Sequence, residues 1–169
     1  MVRSDLAPAM VIAHFVSRYS SVRVNRSLRF SIIRQLNTFD QENKMQWTAW
    51  ATLAALLMYI WVSFNVGRGR AKYKIRAPIM DGPPEFLNIQ RVHANTVEQI
   101  VGFLPALWMC AYFWDDRWAA VGGAIWTAGR VIYALSYYKD PSKRTLGFGI
   151  GLFASLALMA GTAFGLITR

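Results

Sequence analysis

The stretch WTAWATLAALLMYIWVSFNV, residues 47–66, decides the fold, because its 20 consecutive residues carry no charge. Coiled as a helix at about 1.5 Å per residue, it matches a hydrocarbon core about 30 Å thick. It reads as a membrane span. The apolar run ends at Gly67, and a basic loop follows with Arg68, Arg70, Lys72, Lys74 and Arg76. DGPPEF at 81–86 closes that loop, its two prolines ending what precedes and seeding the next helix.

The second span differs in kind. Its opening turns, NIQRVHANTVEQ at 88–99, are polar, and IVGFLPALWMCAYFW at 100–114 is apolar. Each charge held centrally in a lipid-facing helix costs about 2.5–3.5 kcal/mol. Arg91, Asn95 and Glu98 recur at i, i+4 and i+7, so they share one face, which must turn into a bundle or a cavity. Pro105 predicts a kink, its freed carbonyl satisfied by neighbouring helices. An acidic turn, Asp115 and Asp116, leads to a third span at 118–138, with Arg130, Tyr133 and Tyr137 on one face. KDPSKR at 139–144 breaks the helix at Pro141. The fourth span, 145–168, is uncharged, and Gly147, Gly151 and Ser155 recur every four positions, which permits close helix packing. The fold class that follows is all-α, an integral membrane four-helix bundle with spans at about 47–66, 89–114, 118–138 and 145–168.

Composition agrees: mean hydropathy is +0.24 and 54% of residues are apolar, above the roughly 45–50% of soluble domains. The net charge of +10 sits between apolar spans and does not line a helical face, which argues for anionic headgroups and against nucleic acid. The lone Cys110 lies in an apolar run, has no disulfide partner within the chain and belongs to no metal-ligand cluster. It reads as a small lipid- or core-facing hydrophobe.

Four spans put the 67–88 and 139–144 loops on one side, both basic, and the acidic 115–116 turn on the other. The positive-inside rule assigns the basic side to the cytoplasm. Arg91, Asn95 and Glu98 open the second helix there, and Tyr133 and Tyr137 close the third. Residues 1–44 fit this topology badly, since six of their seven basic residues are arginines and they would lie outside. They are Arg- and Ser-rich like an organellar transit segment and have no secretory h-region. The plainer expectation is that Met45 is the true initiator.

A cluster of arginines, an asparagine, a glutamate and two tyrosines suits a small polyanion, because guanidinium forks match carboxylates and phenols add neutral donors. Arg144, just beyond the third helix, adds positive field. The bland alternative is an Arg91–Glu98 ion pair stitching helices together, yet one carboxylate cannot neutralise Arg91, Arg130 and Arg144 at once. His93 points away from the 91/95/98 face by spacing.

GRAKYKIRAPIM (69–80), NIQRVHANTVE (88–98) and GRVIYALSYYKDPSKR (129–144), in that order, resemble the MAPEG family, membrane-associated proteins in eicosanoid and glutathione metabolism. The likeness covers 45–169, with the type 3 microsomal glutathione transferases the nearest subgroup, and leaves 1–44 unmatched. It implies a homotrimer of four-helix subunits binding glutathione as co-substrate between neighbours, with no further cofactor and no metal. It further implies a microsomal or outer mitochondrial membrane, or a bacterial inner membrane. By the same likeness Arg91, Asn95, Glu98, Tyr133 and Tyr137 are glutathione ligands, with Arg130 close to them. His93 falls where relatives touch the peptide, Arg70 reaches the site from an adjacent subunit, and Arg144 polarises the thiol. The activity implied is a transferase or peroxidase acting on hydrophobic electrophiles or lipid hydroperoxides. Departures exist: the leukotriene-forming branch carries a second arginine where Ala71 stands here, and a tyrosine where Gln99 stands. A non-catalytic lipid-binding or scaffold protein on the same fold is the rival reading. A transporter finds no support in a broken-helix pair or an inverted repeat.

Overall fold

The computed structural model describes residues 45–168, so the N-terminal segment 1–44 lies outside the described residues. Four helices and a short turn follow one another: α1 Gln46–Tyr73, α2 Pro84–Phe113, α3 Asp116–Lys139, the 3-10 turn Pro141–Arg144, and α4 Thr145–Ile167. No strand occurs among the described residues. The four-helix, all-α architecture expected from the apolar runs is the one formed.

The apolar run ends at Gly67, but α1 does not, continuing to Tyr73 and so carrying Arg68, Arg70 and Lys72 on the helix. A glycine inside a helix costs only about 1 kcal/mol. Packing holds the helix just beyond Gly67: a Cβ added at Gly69 would lie 3.1 Å from Ile89 and 3.4 Å from Phe86 of α2. The helix closes on Lys74 in the left-handed region, φ 56°, with the Ile75 N–H donating to the Arg70 carbonyl at 3.0 Å.

α2 begins at Pro84, five residues before the expected start, with proline at its first position and Glu85 in its first turn facing the helix dipole. It runs unbroken through Pro105 to Phe113. The two aspartates between α2 and α3 divide the capping. The Asp115 carboxylate accepts from the N–H groups of Arg117 and Trp118 at the start of α3. Asp116 reaches across to α1, accepting from the N–H groups of Trp47 at 3.0 Å and Thr48 at 2.8 Å. One turn thus satisfies orphan donors of two helices.

Among the described residues three helical segments are long and apolar enough to cross a membrane: Gln46–Tyr73, Pro84–Phe113 and Pro141–Ile167. α3, read from sequence as the third span, has the length but not the apolarity. It compensates by burial, turning Trp126, Arg130, Tyr133 and Tyr137 inward. The core joins Ala55, Met58 and Val62 of α1 to Phe103, Leu107 and Cys110 of α2, Trp126 of α3 and Leu158 of α4. Phe103 stacks flat on Trp126 with centroids 3.9 Å apart. Cys110 faces this core. Outward stand large apolar side chains such as Leu57, Ile60, Phe64, Phe153 and Leu156, the reverse of a water-soluble surface and suited to lipid.

α4 approaches α3 at its small residues. A Cβ on Gly147 would fall 2.5 Å from the Tyr133 Cα and 2.8 Å from the Gly129 carbonyl oxygen. The helices therefore meet backbone to backbone at Gly147, three residues after Arg144, beside Tyr133 within α3. This crossing places the end of α3 and the start of α4 around one cavity.

Candidate functional site

The up-and-down order of the helices puts the 74–83 connection and the 140–144 turn at the same end of the bundle. At that end a cavity of about 330 Å³ opens between α2, α3 and α4. Its walls include Arg91 and Asn95 from α2, Tyr133 and Tyr137 from α3, and Arg144, Thr145 and Phe148 around the start of α4. Five residues singled out from the sequence therefore meet in one place. A shallower recess of about 420 Å³ continues past Arg91 and Tyr137 towards Met80 and Gln90.

The aromatic wall is ordered by contact. The Tyr133 and Tyr137 rings lie 5.5 Å apart and tilted, and Phe148 adds a third ring 6.5 Å from Tyr133. The Arg144 guanidinium sits 5.9 Å from the Tyr137 ring centre, within reach of the ring's negative face. Among the described residues the sole ion pair is Lys143–Asp140, 3.8 Å and exposed. Arg91 is therefore not tied to Glu98, and the helix-stitching ion pair does not form. Arg91 and Arg144 both project into the cavity without a carboxylate, and neither tyrosine hydroxyl has a hydrogen-bond partner among the described residues. Arg91, Arg144 and the two tyrosine hydroxyls therefore give the cavity donors without a carboxylate partner among the described residues.

Arg130 plays a different part. Only 1% exposed, it donates from Nη1 to Asn95 Oδ1 at 3.0 Å and from Nη2 to Thr96 Oγ1 at 2.7 Å. Its guanidinium also lies 4.3 Å from the Tyr133 ring centre. Its Nε, like the Trp126 Nε1, has no hydrogen-bond partner among the described residues. Asn95 Nδ2 donates in turn to Glu98 Oε2 at 3.3 Å. A chain Thr96–Arg130–Asn95–Glu98 thus runs from the buried Thr96 and Arg130 behind the cavity wall, through Asn95 in that wall, to the exposed Glu98.

Two expected site residues lie elsewhere. His93 rests its ring on Tyr59 of α1, centroids 5.8 Å apart, as the helical spacing indicates. Arg70 folds onto its own loop, Nη1 donating to the Ile79 carbonyl at 2.8 Å and the guanidinium lying 5.6 Å from the Phe86 ring centre.

Arg144 owes its place to a local device. The Asp140 carboxylate accepts from the Ser142 N–H at 3.0 Å and the Ser142 hydroxyl at 2.7 Å, which caps the 3-10 turn ending at Arg144. Those two bonds, with Lys143 beside them, hold the Asp140 carboxyl below the usual aspartate range. Among the described residues no cluster of three His, Cys, Asp or Glu could hold a metal. Phe148 and Thr145 are additions that charge-based reading passes over. The four-residue spacing from Arg144 would have found Phe148. Thr96 carries no signal until Arg130 is seen against it.

Comparison with known proteins bears on this arrangement. The MAPEG family model matches residues 48–164. An uncharacterised protein of Synechocystis is 38% identical over 126 residues, covering 75% of this chain and 92% of its own length. Human microsomal glutathione S-transferase 2 is 33% identical over 57% of this chain and 67% of its own. Bovine leukotriene C4 synthase is 29% identical over 70% and 79%. With the match spanning all four helices and the cavity they enclose, the chain belongs to the MAPEG family.

Proposed function

We propose that this protein is a membrane glutathione transferase, also acting on lipid hydroperoxides, in which Arg144 activates the glutathione thiol. The observation that carries the proposal is the pair of uncompensated guanidiniums, Arg91 and Arg144, sharing one cavity with the two tyrosine hydroxyls. Glutathione bears two carboxylates, an ammonium and a thiol. Arg91 offers a fork to a carboxylate, and the exposed Glu98 offers a partner for the ammonium. The relatives named as a glutathione S-transferase and a leukotriene C4 synthase favour glutathione over other polyanions. They speak for the family and not for the type 3 subgroup within it.

The chemistry asked of Arg144 is electrostatic. A free thiol has a pKa near 8.5, so thiolate is scarce at neutral pH. A guanidinium within a few ångströms favours the charged form, and each unit of depression corresponds to about 1.4 kcal/mol. The thiolate sulfur then forms a bond to an electrophilic carbon as the leaving group departs with its electron pair. With a hydroperoxide it takes the distal oxygen, releasing an alcohol, and a second glutathione reduces the resulting sulfenic acid to disulfide and water. The apolar substrate arrives from the bilayer and glutathione from the aqueous side, which the basic loops assign to the cytoplasm.

Arg91 and Glu98 stand exposed on a helix that crosses the membrane, which is costly unless another surface covers them. A homotrimer in which a neighbouring copy closes each site meets that need, and the family resemblance makes Arg70 the neighbour's contribution, which would require it to leave the Ile79 carbonyl it bonds here. The test is glutathione-dependent turnover of a hydrophobic electrophile by the purified oligomer. A scaffold protein on this fold would bind lipid yet show no turnover.

A further inference from the structure

A second cavity, of about 570 Å³, lies apart from the first, between α1, the start of α2 and the end of α3. Its α1 wall is the ridge Trp61, Asn65, Arg68 and Lys72, recurring at helical spacing, and Tyr138 faces that ridge from α3. Trp61 meets Tyr138 edge-on with centroids 6.3 Å apart, and Asn65 Nδ2 donates to the Tyr138 hydroxyl at 3.4 Å. Glu85, in the first turn of α2, is the single carboxylate in the wall. It makes no ion pair with Arg68 or Lys72, since the only pair among the described residues lies elsewhere.

The proposed glutathione chemistry uses none of these groups. The cavity straddles the level where the uncharged run of α1 gives way to its basic end, with aromatic side chains at its deep end and cations above, the gradient of a bilayer interface. Below it α1 presents exposed Leu57 and Ile60, a surface for acyl chains. Arg68 and Lys72, neither paired with a carboxylate among the described residues and Lys72 resting 5.0 Å from the Tyr73 ring centre, face the one carboxylate, Glu85, around a single space and complement a phosphate next to an ammonium.

We propose that this cavity binds the headgroup of a bilayer phospholipid, Arg68 and Lys72 holding the phosphate and Glu85 the ammonium of an ethanolamine headgroup. The inference stands whether or not the first cavity binds glutathione.

Native mass spectrometry of the detergent-solubilised full chain, titrated with phosphatidylethanolamine or phosphatidylglycerol, reads it directly. At about 1 kcal/mol for each basic contact, the double variant Arg68→Gln/Lys72→Gln should weaken retention of either lipid roughly thirtyfold. Lys74→Gln/Arg76→Gln removes two cations from the same end but outside the cavity, and should weaken it less than about threefold. The charge-keeping exchange Arg68→Lys/Lys72→Arg should retain lipid and confirm that the fold tolerates change there. Glu85→Gln should erase a preference for ethanolamine over glycerol headgroups. Equal losses in the two double variants, or no loss in the first, would overturn the site. Displacement of lipid by excess inorganic phosphate or glycerol 3-phosphate would make it a site for soluble phosphate and overturn the lipid assignment. An unchanged headgroup preference in Glu85→Gln would remove Glu85 from it.

Discussion

Replacing Gly147 by alanine puts a methyl group where α4 crosses α3. The new carbon would lie 2.5 Å from the Tyr133 Cα and 2.8 Å from the Gly129 oxygen, against backbone that cannot swing aside. Carbon atoms settle at about 3.5–4.0 Å, so α4 must withdraw by about 1 Å. Overpacking of this kind costs about 1–3 kcal/mol. Alanine's better helix propensity returns about 0.5–1 kcal/mol, leaving a net loss of up to about 2.5 kcal/mol. The functional loss should exceed the stability loss, because Tyr133 and Arg144 stand on opposite sides of the widened gap. A displacement of about 1 Å at reacting groups can cost about a hundredfold. Denaturant unfolding in detergent measures the first effect, and glutathione thiolate absorbance the second. Gly149→Ala is the control: nothing lies within 4 Å of its added Cβ, so it should be neutral or stabilising by about 0.5–1 kcal/mol. A Gly147→Ala protein as stable as the parent, with a full thiolate signal, would refute the close helix crossing.

Thr96→Val keeps the shape of the side chain but strips the buried Arg130 Nη2 of its acceptor, and should cost about 1–3 kcal/mol by the same unfolding assay. Asp116→Ala frees the first N–H groups of α1 and should cost about 0.5–2 kcal/mol, with thiolate formation intact because the cap lies at the opposite end of the bundle. Asp140 has a depressed carboxyl, so its contribution is present above its ordinary pKa of 3.8 and is lost as pH falls through the lower folded value. The difference in melting temperature between the parent and Asp140→Asn should therefore be flat from about pH 5 upward and close only below about pH 3.8.

Much of the fold was readable because its cause is local. An uncharged run long enough to cross a bilayer can hardly do anything else, and Arg91, Asn95 and Glu98 had to share a face by helical geometry alone. Gly67 misled because an apolar run and a helix end for different reasons: the run stops at the hydrocarbon boundary, whereas the helix stops where packing on α2 ends. Within the site, the residues whose surroundings are set by their own helix fell where spacing put them. Asn95 was legible as a face but not as a role, since both ends of its amide are taken by Arg130 and Glu98. Arg70 found carbonyl partners in its own loop, an outcome of loop conformation that no periodicity encodes. Arg130 looked like its neighbours by charge, yet its burial behind Tyr133 depends on a hydroxyl on a different helix, that of Thr96.

The central claim is that Arg144 turns bound glutathione into a thiolate. Mixing the purified protein with glutathione in a stopped-flow instrument and following thiolate absorbance tests it most directly. The parent should give a thiolate signal with proton release at neutral pH. Arg144→Ala should lose most of that signal while keeping its melting temperature and oligomeric state, because the exposed Arg144 side chain contributes little to the bundle. An undiminished thiolate signal in a folded, assembled Arg144→Ala protein would contradict the account.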